Sequence, residues 1–281
     1  VFKIQSILPP IAPIKIIDVG AMAIAGDQDA YARLAEVAPV EIVGFEPVEA
    51  ELAKLRAAHP KGRTYLPYAI GDGGRHIFHE TNFPMTSSLF APNIELISKF
   101  QALGELMHVV SRTEVDTKRL DDIPEVAGTD YLKLDVQGAE LMILKGGEKL
   151  LEEVVLIHAE VEFAELYKGQ PLFADIDAYL RSQGFVLHRF NGMAGRAFKP
   201  FLKDGNPHAP LSQTLWGDAV FIKDFMHFDR LPTEKLMKLA VILHETYQSL
   251  DLVAVVLDAI DKREQSGLQA AYFQQFSRPN G

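Results

Sequence analysis

Through the first two thirds of the chain, short apolar runs of strand length alternate with stretches where apolar residues recur every three or four positions. Such alternation predicts βαβ units and a mostly parallel sheet covered on both faces. Strands are expected over residues 15–19, 41–45, 63–70, 130–135, 154–160, 185–190 and 218–222. Helices are expected over 29–38, where Ala30, Leu34 and Val37 share a face, over 49–58 with Leu52 and Leu55 inward, and over 140–151 and 173–183. Gly184 stands where a left-handed cap belongs, and Gly71, Gly73 and Gly74 mark a turn after the third strand. The periodicity fails over 83–106, which reads as an irregular segment with a short helix from Asn93, and again over the Gly- and Pro-rich 191–210. Segments of this kind commonly wall a site. Residues 109–120 read as a supporting strand edge.

Beyond Asp229 the pattern is helical alone. Leu236, Leu239, Ala240, Leu243 and Tyr247 form one stripe, and Val253, Val256, Leu257 and Ile260 a second. The expected architecture is an α/β, Rossmann-like sandwich with a seven-stranded, mostly parallel sheet over 1–228, closed by a hairpin-like return, and a C-terminal helical extension over 229–281. The extension could pack on the sheet, form a homodimer with a second copy, or support a neighbouring domain. The polar tail from Gln265 is expected to fray.

Composition removes several classes of chemistry. The 281 residues include no cysteine, which excludes thiol nucleophiles, cysteine-ligated zinc and disulfides, and nothing points to an oxidising compartment. The formal net charge is −10, and Lys and Arg are scattered singly, so a nucleic-acid substrate is not expected. Lys3, Pro9, Pro10 and Pro13 interrupt the apolar opening, and no run reaches the roughly 18 apolar residues of a membrane span. These features lead to the expectation of a soluble, cytoplasmic protein.

The strongest chemical signal is Ile16-Ile17-Asp18-Val19-Gly20-Ala21 followed, one helix and one strand later, by Gly44-Phe45-Glu46-Pro47. In open α/β sheets ligands bind beyond the carboxyl ends of the strands, so a Gly turn after the first strand and an acid ending the second face one crevice. A carboxylate there accepts hydrogen bonds from both hydroxyls of a ribose. The glycines separate two adenosine cofactors. A dinucleotide requires Gly-x-Gly-x-x-Gly for close approach to a pyrophosphate, whereas Met22 occupies the second position here and the next glycine is Gly26. S-adenosylmethionine has no pyrophosphate and is favoured over NAD.

The chain resembles the FkbM family of methyltransferases. The matching stretches are Asp18-Val19-Gly20-Ala21, Gly44-Phe45-Glu46-Pro47, Ala69-Ile70-Gly71-Asp72, Val115-Asp116-Thr117-Lys118-Arg119-Leu120-Asp121 and, above all, Tyr131-Leu132-Lys133-Leu134-Asp135-Val136-Gln137-Gly138-Ala139-Glu140. The resemblance spans roughly residues 16–222. It implies a class I, S-adenosylmethionine-dependent enzyme that yields S-adenosylhomocysteine and methylates a hydroxyl of a small-molecule or carbohydrate acceptor. It further implies that Asp18, Gly20 and Ala21 face the methionine end of the cofactor, that Glu46 and Pro47 hold the ribose, that Asp72 reaches the adenine amino group, and that Gln137 and Ser88 line the pocket. Met22, Ala23 and Gln137 depart from the family's usual residues.

Asp135, ending the fourth strand, is placed to orient the cofactor amino group or the acceptor hydroxyl. On the fifth strand the period of two puts His158, Glu160 and Glu162 on one side. His158 or Glu160 is the candidate base for the acceptor hydroxyl, with Asp135 orienting and no metal assigned. A nicotinamide oxidoreductase and a catalytically silent cofactor-binding scaffold are the alternatives.

Overall fold

The computed structural model describes residues 2–21, 30–58 and 62–277. The expected contacts of Met22, Ala23 and Gly26, and the expected helix start at Asp29, lie outside the described residues.

In chain order the first half contains β1 (Ile14–Val19), α1 (Ala32–Val37), β2 (Val40–Phe45), α2 (Glu49–Ala58), β3 (Arg63–Leu66), β4 (Ala69–Ile70), β5 (Arg75–Thr81), α3 (Ile94–Ile97), α4 (Leu103–Leu106) and β6 (Val109–Lys118). Then follow β7 (Tyr131–Leu134), α5 (Glu140–Lys145), α6 (Glu148–Glu153), β8 (Leu156–Glu162), α7 (Phe173–Ser182), β9 (Phe185–Gly195), β10 (Thr214–Lys223), α8 (Thr233–Ile242), α9 (Leu250–Glu264) and α10 (Leu268–Ser277). The main sheet has seven strands in the order β3-β2-β1-β7-β8-β10-β9. It is parallel from β3 to β8, and β10 inserts antiparallel between β8 and β9. This is the class I methyltransferase arrangement expected from the sequence.

Three local differences have identifiable causes. The single strand expected over 63–70 is broken at Pro67, which lacks the N–H a continuing ladder needs. The chain leaves the main sheet there, and β4 joins a small sheet of order β4-β6-β5. The helix expected over 140–151 is two helices, interrupted at Gly146 and Gly147. A Cβ on Gly146 would lie 2.6 Å from the carbonyl oxygen of Gly71, so this interruption lets the small sheet's turn pack closely. The tail expected to fray carries α10 instead, because Asp261 accepts from the main-chain N–H groups of Leu268 (2.7 Å) and Gln269 (2.9 Å), and Leu268 and Tyr272 are buried.

The extension packs on the sheet. One face of the main sheet, carrying Ile14, Ile16, Tyr131, Leu156 and Val220, shares a single apolar core with Leu236, Leu239, Val253 and Leu257 of α8 and α9. The opposite face, with Ile17, Leu132, Ile157 and Phe221, packs on α5, α6 and α7. At the joint, the fully buried carboxylate of Asp130 accepts from the ammonium groups of Lys235 (2.7 Å) and Lys238 (2.9 Å) and from the main-chain N–H of Lys15 (2.9 Å). Two cations and an amide offset the cost of burying this anion and fix α8 to the sheet's lower edge.

Candidate active site

The β1–β7–β8 register builds the site. Asp18 pairs with Lys133 and Lys133 with His158, so these three polar side chains stand in a row on the extension's face, where its apolar core gives out toward the strands' carboxyl ends. Asp18 is buried and accepts from the Tyr31 hydroxyl (2.7 Å) and the Lys133 ammonium (3.1 Å). Above this row lies a cavity of about 440 Å³, within the size range of small-molecule sites.

One end of the cavity is walled by Phe45, Tyr68 and Ile70, apolar surfaces suited to a flat purine. Glu46, ending β2, borders this slot and is buried. Its Oε1 accepts from the Val48 N–H (2.7 Å), so ligand hydroxyls would be met by Oε2. Burial, reinforced by repulsion from Glu51 and opposed by the Val48 bond, pushes the Glu46 carboxyl up to about 7.

At the centre, Gly20 turns away from β1 in a left-handed conformation (φ +84°). A Cβ there would lie 1.9 Å from the Asp135 carbonyl oxygen, so only glycine permits the two chain crossings to touch. Gln137, also left-handed (φ +57°), is the hub of the far wall. Its amide nitrogen donates to Asp135 (3.0 Å) and to Glu160, its amide oxygen accepts from the Tyr167 hydroxyl (2.9 Å), and its carbonyl accepts from the Ser88 hydroxyl (2.6 Å). The amide thus turns its positive end to two carboxyls and its negative end to a phenol.

The β8 pattern places His158, Glu160 and Glu162 on one side of the strand, with Glu140 entering from α5. Burial foremost, then Asp135, Glu162 and Glu140 nearby, drive the Glu160 carboxyl far above the usual range. Glu162 is raised in the same way, and Glu140 is pushed up to about 7 by burial. Carboxyls crowded in this way take up protons more readily than free ones. Glu160 and His158, the two candidate bases, both stand in this wall. His158 is buried, its Nδ1 lies 2.9 Å from the Tyr247 hydroxyl, and its Nε2 lies 3.5 Å from Asp218 Oδ1.

Asp18, Gly20, Glu46, Pro47, Ser88, Asp135, Gln137, His158 and Glu160 all line the one cavity. Two other expected contacts do not. Ala21 faces away, into a cluster with Leu52, Leu55 and Tyr65, because the turn at Gly20 sends the next side chain under α2. Asp72 sits in the small sheet's turn, where its carboxylate accepts from the Gly74 N–H (2.8 Å) and contacts His76 (2.7 Å). These bonds hold it below the usual carboxylate range and away from the purine slot. Lys133, Asp218 and Tyr247 also stand at the site, with no role expected for them from the sequence. Lys133 carried a legible signal, a cation alternating with Tyr131 and Asp135 in an otherwise apolar strand. Asp218 and Tyr247 reach the site only through the antiparallel pairing Asp218↔Glu160 and the packing of the extension.

Residues 18–187 match the family described as Methyltransferase FkbM domain. The chain is 32% identical over 190 residues, covering 62% of this chain and 74% of the relative, to the 2-O-methyltransferase NoeI of Sinorhizobium fredii. It is 28% identical over 116 residues, covering 37% of this chain and 43% of the relative, to Methyltransferase 1 of Beauveria bassiana. Among solved structures, an S-adenosylmethionine dependent methyltransferase from Mesorhizobium loti superimposes with a TM-score of 0.38 at 13% identity, covering 78% of this chain and 95% of that one.

Proposed function

Because the chain belongs to the FkbM family of S-adenosylmethionine-dependent methyltransferases, we propose that it methylates a hydroxyl oxygen of a sugar, glycan or small natural product. The observation that carries this reading is the His158–Asp218 pair, an imidazole and a carboxylate in the wall of the cavity that Glu46 borders. The similar relative named as a 2-O-methyltransferase supports the choice of oxygen. Family membership settles the cofactor class and removes the nicotinamide alternative.

The residues fit that cofactor. The apolar slot suits adenine, the open oxygen of Glu46 suits a ribose diol, and Asp135, held by Gln137, offers an acceptor to an ammonium group. Bound there, S-adenosylmethionine supplies a methyl carbon already activated by its positive sulfur. The protein then has to hold the acceptor oxygen in line and exclude water. With the cofactor in place, the acceptor oxygen would take its methyl carbon and leave the displaced electron pair on sulfur, and the His158–Asp218 pair is the group that would receive the hydroxyl proton. Asp135 and Glu160, both held by the Gln137 amide, orient the ligands.

The direct test is incubation with methyl-labelled cofactor and fractionated glycans, lipids and small metabolites, followed by mass spectrometry. Label on a hydroxyl oxygen is expected, and label on nitrogen or carbon ends the reading. Asp218→Asn should lower turnover by about 100 to 10,000-fold, the usual contribution of a base, with cofactor affinity retained.

Glu46 makes binding pH-dependent. The ribose hydroxyls favour the carboxylate, so binding draws Glu46 toward its ionised form, and affinity rises as pH climbs through about 7. Calorimetry with S-adenosylhomocysteine should show about tenfold tighter binding at pH 8 than at pH 6. Glu46→Gln should flatten that dependence and weaken binding at pH 8 by roughly tenfold or more, the worth of a charge-assisted hydrogen bond. Equal affinities for the original protein at both pH values would remove Glu46 from ribose binding.

A further inference from the structure

Tyr247 lies beyond the family match, which ends at residue 187, and belongs to the C-terminal extension. It ends a π-helical turn (Leu243–Tyr247) between α8 and α9, the kind of irregular turn that re-aims a side chain out of helical register. Both sides of the turn are tied to β9: Arg189 donates to the Tyr247 carbonyl (3.2 Å), and His188 Nε2 lies 2.7 Å from the Ser249 hydroxyl. From there the Tyr247 hydroxyl reaches through the sheet's face to two groups, the Tyr131 hydroxyl at 2.7 Å and His158 Nδ1 at 2.9 Å. The Tyr131 hydroxyl is itself 3.4 Å from Nδ1.

The proton count decides how this cluster is wired. All three side chains are buried, and burial raises both phenols well above their usual range, so each phenol keeps its one proton. If Nδ1 donated to Tyr247, the Tyr247 proton would go to Tyr131, and the Tyr131 proton would have no acceptor among its contacts. A buried donor left unsatisfied costs about 1–3 kcal/mol. When Nδ1 accepts instead, both phenol protons are used, and the shorter of the two contacts comes from Tyr247. The ring proton then sits on Nε2, which faces Asp218 Oδ1 at 3.5 Å.

We propose that Tyr247 is a positioning residue: its hydroxyl donates to Nδ1 of His158, fixes the ring proton on Nε2 toward Asp218, and so makes the Asp218 carboxylate the group that takes the acceptor's proton. The last clause rests on the O-methylation reading; the wiring does not. The extension thereby supplies part of the active site from outside residues 18–187, the span that matches the family. In the step itself the hydroxyl proton goes to an Asp218 oxygen, the new C–O bond would form as the C–S bond breaks with its electron pair left on sulfur, and the His158 ring keeps its proton on Nε2.

The wiring is read in the protein alone by long-range proton–nitrogen NMR on ¹⁵N-histidine-labelled material at neutral pH, with His158 assigned by loss of its signals in His158→Gln. Nδ1 is expected unprotonated and hydrogen-bonded, and Nε2 protonated. Tyr247→Phe should shift the Nδ1 resonance toward that of an unbonded ring nitrogen. Tyr131→Phe, an equal loss from the same core, should leave Nδ1 close to its original position. A protonated Nδ1 in the unaltered protein overturns the proposal, and so does an unmoved Nδ1 in Tyr247→Phe. Should Tyr247→Phe not fold, the tautomer of the unaltered protein still decides. With an acceptor found by labelling, Asp218→Asn should lose about 100 to 10,000-fold in turnover, whereas His158→Gln, which still offers an N–H to Asp218, should lose on the order of tenfold. The reverse ranking makes the imidazole the base and overturns the assignment to Asp218. Label on an atom other than oxygen would sink the O-methylation reading while leaving the NMR result standing.

Discussion

A chain ending at residue 228 is expected to lose its cooperative unfolding transition and to aggregate on expression. The sequence invites the opposite expectation, because residues 1–228 hold every strand and every motif, and the helices after them read as an appendage. The core does not divide there. Ile14, Ile16, Leu156, Val220 and Ile222 of the sheet are fully buried or nearly so, and they pack in one cluster with the inward residues of α8 and α9. Removing the helices would return these side chains to water at about 1.5–3 kcal/mol each. Five such residues suffice to match the whole ~5–15 kcal/mol stability of an ordinary domain. Asp130 would also lose both of its lysine partners. Calorimetric unfolding of the purified 1–228 chain, beside the full chain, checks this. A single sharp transition near that of the full chain would show that the extension is dispensable for folding.

What could be read in advance, and what could not, divides along the range of the interactions. The seven main strands follow from runs such as 15–19 and 154–160, because strand burial on both faces is written into consecutive residues. Gly20 and Glu46 are legible for a related reason: each ends a strand, and strand ends in an open sheet share one crevice. Asp72 looks the same by that rule and behaves differently, because Pro67 diverts the chain out of the main sheet before Asp72 is reached. The break is visible in sequence, but its consequence depends on β6, some forty residues later, being free to pair with β4. Glu160 shows a different limit. Its identity suggests a base, yet its carboxyl is raised by burial first and then by Asp135, Glu162 and Glu140, which surround it only when β7, α5 and β8 are assembled. Tyr247 shows the same limit over the longest range. At helical spacing it reads as one more core residue, and most of its ring is that, but its hydroxyl reaches His158 Nδ1.

Gly20→Ala should abolish cofactor binding and cost the protein more than any other glycine substitution in the crest. Two effects add at this position. The left-handed backbone (φ +84°) costs an alanine about 1–2 kcal/mol by itself. In addition, the new Cβ would lie 1.9 Å from the carbonyl oxygen of Asp135, where no flexible side-chain end can yield, so β1 and β7 must part at their carboxyl ends. Parting them stretches the bond from the Asp135 N–H to the Val19 carbonyl (3.1 Å) and displaces the carboxylate that Gln137 holds. Gly184 separates the two effects, since its φ of +77° is nearly the same and nothing lies within 4 Å of its would-be Cβ. Gly184→Ala should therefore show the backbone cost alone, about 1–2 kcal/mol with cofactor affinity unchanged. Gly20→Ala should lose roughly 3 kcal/mol or more, since strain and steric displacement combine, and S-adenosylhomocysteine binding should fall below calorimetric detection. Thermal denaturation and titration of the two variants side by side decide the matter. If they prove equally stable and bind equally well, the contact between the turn after β1 and the end of β7 is looser than the structure shows, and the crest is not the rigid seat on which the cofactor site depends.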